Sequence, residues 1–180
     1  MKLWAVHPPE FLDAFDATGV LVGNWDRIDK NLLPAYQWMV RQMALRGVDV
    51  GSSPPVWAWY MCDDGKRERP DLTEDGFLEP GSEGVCIEFD APDQHVVLSD
   101  FDMWHYPINQ WYLIEDDAEA ERIEGAVVPR AELEKSWERI FDLSFGSPAV
   151  HGRPDQRRVQ ATLPFLRREW VLEVQEFIAR

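Results

Sequence analysis

Two hydrophobic periodicities divide this chain. From Lys2 to His7 the residues alternate, Leu3 and Ala5 on one side and Trp4 and Val6 on the other, which is the period of a strand. Pro8-Pro9 stops that strand and presets the first turn of a short helix, Glu10–Thr18, with Phe11, Leu12 and Phe15 as its apolar stripe and Gly19 as a left-handed stop. Val20–Val22 reads as a short strand. Leu33, Tyr36, Met39, Val40, Met43 and Ala44 then recur three and four apart, so a second helix runs from about Leu33 to Arg46, stopped by Gly47.

Strand alternation returns at Val56–Cys62, with Trp57, Trp59 and Met61 on one face and Val56, Ala58 and Tyr60 on the other. Residues 63–84 are polar and rich in Gly and Pro, the pattern of a long mobile loop. Val85–Asp90 and His95–Leu98, joined by Ala91-Pro92-Asp93, read as a hairpin. Residues 114–128 read as an exposed acidic loop. Pro129 opens a third helix through about Leu143, and Val159–Pro164 and Trp170–Ile178 close the chain as strands. Short strands with about three main helices predict one α+β domain over residues 1–180, built on a mostly antiparallel, twisted sheet.

Charge sharpens this outline. The 180 residues carry 18 Lys+Arg against 33 Asp+Glu, a net charge of −15, which excludes a general nucleic-acid binder acting through its overall charge and disfavours an anionic membrane surface. Residues 71–120 contain 14 acids and no Lys or Arg, whereas Arg153, Arg157, Arg158, Arg167 and Arg168 stand against Asp155 alone in residues 151–168. Two readings stay open: the segments screen each other, or the arginines form an anion pocket. Cys62 and Cys86 sit in strand patterns as small buried hydrophobes; the N-terminus lacks a signal-peptide core, no apolar run is long enough to span a bilayer, and the expected location is cytoplasmic.

Chemistry concentrates in Ser99–Asn109, where polar side chains alternate with aromatics. Ser99 or Asp100 caps a helical turn, and Asp102, His105 and Asn109 are candidates to line a pocket or to move a proton as an acid–base hydrolase would; the alternative is a capped turn anchoring a loop. No metal is expected, since no loop geometry supports a site from Glu88, Asp100 and Asp102. Trp57 and Trp59 form either core or a stacking wall for a planar ring. Arg158 and Gln160 point together, toward solvent or toward a cleft.

Several pieces of the chain resemble a bacterial family catalogued as domain of unknown function 3841. They are Lys2-Leu3-Trp4, Pro55 to Tyr60, Lys66 to Pro70, Gly84 to Asp90, Val97 to His105, Trp111-Tyr112, Trp137 to Phe141 and Gln160-Ala161-Thr162. A weaker resemblance, in element order, is to ADP-ribosyltransferase-like proteins. It implies NAD as cofactor, His7 holding a ribose, Trp59 or Tyr60 stacking on nicotinamide, and Gln160 at the late-strand position where those enzymes carry a carboxylate. Glutamine there is a departure, because it supplies a hydrogen bond and no charge; Glu169 and Glu173 are the nearby carboxylates. The resulting expectation is a nucleotide-type pocket drawing on His7, Trp59, Tyr60, Asp102, His105, Asn109, Arg158 and Gln160. The alternative function is a binding protein whose acidic 71–120 face docks on a basic protein partner.

Overall fold

A computed structural model of the chain describes residues 1–63 and 65–180, apart from the side chain of Ala14. In chain order the elements are β1 (Lys2–His7), α1 (Glu10–Thr18), β2 (Val20–Leu21), α2 (Leu33–Leu45), β3 (Val56–Met61), β4 (Glu83–Asp90), β5 (Val97–Asp100), α3 (His105–Asn109), α4 (Asp117–Ile123), α5 (Arg130–Trp137), α6 (Pro148–His151), β6 (Val159–Leu163), β7 (Leu166–Arg167) and β8 (Val171–Ile178). Six strands form one antiparallel sheet in the order β5-β6-β3-β1-β4-β8, and β2 pairs with β7 in a small second sheet. The α+β expectation holds, with α1, α2 and α5 as the main helices and three short ones beside them.

Local chemistry accounts for the element ends. Gly19 takes φ 71°, and its N–H reaches the Phe15 carbonyl at 2.7 Å, closing α1 in a conformation that glycine adopts without steric cost. Asp100 ends β5 and caps the next turn, its Oδ1 accepting the Met103 N–H at 2.8 Å.

The sheet buries both faces except along edge strand β8, most of which is exposed. On one, Leu3, Ala5, Val56, Ala58, Ile87, Phe89, Ala161 and Leu163 pack under α1, Leu21 and Leu166. On the other, α2, α5 and the turn Glu138–Phe141 that follows it lay Trp38, Met39, Met43, Trp137 and Ile140 over Val97 and Trp104. Trp137 is fully buried, and its indole N–H satisfies the Trp111 carbonyl at 2.6 Å.

Two expectations are corrected. β4 and β5 do not form a hairpin: β1 occupies one edge of β4 from Lys2↔Asp90 to His7↔Val85, and β8 occupies the other from Glu83↔Ile178 to Phe89↔Val171. With both edges filled, β5 crosses to the far side and pairs with β6. The acidic segment 114–128 is not all loop, because it contains α4. Asp116 caps that helix by accepting the Glu119 N–H at 2.8 Å, and Arg139 draws the Glu119 side chain inward until only 11% of it is exposed.

The sheet is also partly split. β1 is in register with β4 along its whole length but with β3 only at Trp4↔Trp59. Beyond that pair the two strands part, leaving Val6 and His7 across a gap from Trp57. At the gap's inner end Gly23 lies against the Pro54 backbone, where a Cβ would overlap the carbonyl oxygen. Gly23→Ala should therefore cost about 1–3 kcal/mol and lower the melting temperature by several degrees in a thermal unfolding scan.

Candidate functional site

The parting of β1 and β3 opens a cleft. Its inner part, a cavity of about 230 Å³, is lined by Val6 and His7 from β1, Trp57, Ala58 and Trp59 from β3, Gln160 from β6, and Gly76, Phe77 and Phe101. Trp59 and Gln160 meet because they are register partners across β3 and β6. His7 ends β1, where Pro8 turns the chain, and its ring stacks on Phe11 at 4.4 Å. Burial pushes its pKa down to about 4, so the imidazole is neutral near pH 7. Its Nε2 is buried without a hydrogen-bond partner among the described residues. A neutral imidazole nitrogen so placed suits a hydroxyl or amide of a ligand.

The cleft continues outward into a cavity of about 520 Å³ that shares Trp59, Gly76, Phe77 and Phe101 and adds Cys62, Asp63, Glu74, Asp75 and Arg158. Trp59 packs on Phe101 at 4.9 Å and meets Phe77 edge-on at 6.5 Å. Arg158 lies over the Phe101 ring at 4.5 Å, and its Nη2 and Nε both donate to the Asp102 carboxylate. Gly76, at φ 98°, makes the turn that carries Phe77 to the cleft. Burial raises the Cys62 thiol to about 12, which removes it as a thiolate nucleophile. In the predicted loop 63–84, of which residue 64 lies outside the described residues, Arg69 bonds Glu88 at 2.9 Å and Gln175 at 2.8 Å, and Pro70 and Leu72 are buried.

Of the sequence-derived candidates, His7, Trp59, Gln160 and Arg158 share this cleft. Asp102 belongs to it at one remove, through Arg158. Tyr60 does not: it alternates to the opposite face, against the core, with Arg67 over its ring at 4.6 Å. His105 is exposed; its Nδ1 faces the Asp102 backbone oxygen at 3.1 Å while the Asp102 carboxylate is taken by Arg158, so these two side chains do not form an acid–base dyad. Asn109 bonds the His105 carbonyl at 2.8 Å at the end of α3. Neither Glu169 nor Glu173 replaces the missing carboxylate. Glu173 sits on edge strand β8, paired with Arg69, and Glu169 is exposed beside Arg167.

The arginine-pocket reading is also corrected. Arg157 faces Asp100, Arg158 Asp102, Arg153 Asp155, Arg167 Glu169 and Arg168 Asp16, so the basic residues are dispersed onto separate carboxylates and do not converge on an anion. Glu88, Asp100 and Asp102 are likewise apart, held by Lys2 and Arg69, by Arg157 and by Arg158. Phe77 is a site residue that the sequence alone does not single out, its one signal being a lone phenylalanine after glycine in a polar segment, whereas Glu74 and Asp75 beside it belong to the acidic 71–120 stretch.

Among the described residues no helix is long and apolar enough to cross a membrane. Comparison with curated proteins and with solved structures finds no match, and so lends no support to the ADP-ribosyltransferase resemblance. A family model does match, over residues 2–128, a span that holds His7, Trp57, Trp59, Phe77 and Phe101 and ends before Arg158 and, in β6, Gln160. On that match the chain belongs to the family described as Domain of unknown function (DUF3841).

Proposed function

We propose that the cleft between β1, β3 and β6 binds a nucleotide-type molecule, with NAD as the substrate to test first. The observation that carries this reading is the convergence of His7, Trp59 and Gln160 on one cavity from three strands of the sheet. The outer cavity, about 520 Å³, falls in the size range of small-molecule sites, and the inner one, about 230 Å³, adjoins it as a smaller recess.

The residues present fit the planar ring and the hydroxyls of such a molecule, whose phosphates would meet Arg158 as the one cation lining the cleft among the described residues. Trp59 offers an indole for stacking against a planar ring, the unpartnered His7 Nε2 takes a hydroxyl, and the Gln160 carboxamide, which has no partner among the described residues, takes another. Bound NAD would supply an ADP-ribosyl group with nicotinamide as its leaving group. Gln160 orients without charge, and among the described residues no carboxylate lines the inner cavity, so binding is expected to outrun turnover.

Titrating NAD, ADP-ribose and nicotinamide into the protein tests this through tryptophan fluorescence, since Trp57 and Trp59 line the cavity. NAD should quench the emission and raise the melting temperature, and Trp59→Ala should weaken binding by about tenfold or more. Nicotinamide release should be slow in the wild type and rise in Gln160→Glu. Absence of both quenching and thermal stabilisation with all three compounds would discard the reading.

A further inference from the structure

The outer half of the cleft has a chemistry of its own. Three aromatic rings, Trp59, Phe77 and Phe101, form its walls, and Asp63, Glu74 and Asp75 stand around it. Among the described residues none of these three carboxylates is in an ion pair, and the one cation lining the cavity is Arg158. That cation is already bound, with the Phe101 ring under its guanidinium and the Asp102 carboxylate on two of its nitrogens. Ring face plus carboxylate is thus a guanidinium site that the chain fills from within. Phe77 with neighbouring Glu74 and Asp75 offers the same pair of groups, and no described cation lies over Phe77 or Trp59.

We infer that the outer cleft receives the guanidinium of an arginine carried by a basic protein or peptide. A guanidinium is planar and weakly hydrated, so it stacks on a ring and still offers paired N–H donors to a carboxylate at its edge. An ammonium, compact and strongly hydrated, uses the carboxylates but gains less from the rings. With Arg158 neutralised by Asp102, the three remaining carboxylates leave the cavity negative, as does the surrounding 71–120 segment with its 14 acids and no Lys or Arg. That field draws a basic chain in and repels a nucleic acid. The inference rests on the same cleft being a ligand site, but it does not need NAD. Peptide binding is therefore measured without NAD, so that either reading can fail alone.

The probes are hexa-arginine and hexa-lysine peptides of equal charge and a single-stranded oligothymidylate, each titrated calorimetrically at physiological salt. Hexa-arginine should bind about fivefold or more tighter than hexa-lysine, as a planar cation over an aromatic ring predicts. Glu74→Gln/Asp75→Asn should weaken it by about fivefold to tenfold, and Phe77→Ala should erase the preference for arginine. Glu121→Gln/Glu124→Gln makes the same charge change on exposed positions of α4 and its end, away from the cleft, and should leave the affinity within about twofold. Equal binding of the two peptides, an equal loss in the α4 variant, or tighter binding of the oligothymidylate would each overturn the inference.

Discussion

Asp100→Ala is expected to destabilise the protein by about 3–5 kcal/mol, because it strands a buried guanidinium. Asp100 and Arg157 are 2% and 3% exposed and 3.3 Å apart. Burial pushes the Asp100 carboxyl above the usual range, with the Met103 N–H and Arg157 pulling it back. Without that carboxylate, Arg157 keeps the Phe145 carbonyl as its hydrogen-bond acceptor, its Nε and Nη1 having no hydrogen-bond partner among the described residues, and the Met103 N–H loses its acceptor as well. The double variant Asp100→Leu/Arg157→Met removes both charges and should recover most of the loss. Urea denaturation of the three proteins checks this; a cost below about 1 kcal/mol for Asp100→Ala would place the pair with solvated surface pairs. The pair also matters to the cleft, since each member is joined in sequence to a wall group, Arg157 to Arg158 and Asp100 to Phe101.

Stability should also fall in acid over two windows. His7 titrates at about 4 in the fold against an ordinary 6.5, so the unfolded chain binds its proton first. The stability from keeping His7 neutral is complete above about pH 6.5 and is lost as pH falls toward 4, a change on the order of 3 kcal/mol. Glu88 and Glu119 then follow. Lys2 and Arg69 hold Glu88, and Arg139 holds Glu119, each at about 2 against an ordinary 4.5. Their contribution is present above about pH 4.5 and is lost toward 2, and solvent screening holds it to about 1 kcal/mol for each carboxylate. Unfolding free energies measured from pH 7 downward should show both declines, and His7→Gln should remove the upper one alone. A flat profile between pH 6.5 and 4.5 in the wild type would show that His7 is solvated in the folded protein.

Much of the secondary structure is legible residue by residue. Pro8-Pro9 and Gly19 bracket α1, Gly47 follows α2, and the alternation in β1 and β3 assigns Trp57 and Trp59 to one face and Tyr60 to the other. That alternation was enough to remove Tyr60 from the cleft, yet the choice between Trp59 and Tyr60 stayed open until the covering elements were known. α4 was missed because its acidic composition outweighed its cap, and because Arg139, which holds Glu119, lies 20 residues downstream. His105 and Asn109 drew attention through local density. Both settled into hydrogen bonds with backbone oxygens of their own segment, the commonest fate of short-range polar groups.

Most strands and helices, the alternation of their apolar faces, their caps and the places where charge collects follow from residues a few positions apart, and are legible in the chain alone. Strand order was decided only by the tertiary structure. Nothing near Val85–Asp90 says that Met1 to His7 and Val171 to Ile178 will take both its edges, or that Gln160 will register with Trp59. Those choices minimise exposed apolar area and unpaired backbone over the whole chain. The cleft is a product of that global solution: β1 completes its ladder with β4 and meets β3 at a single pair, and the space left where they part gathers His7, Trp59 and Gln160.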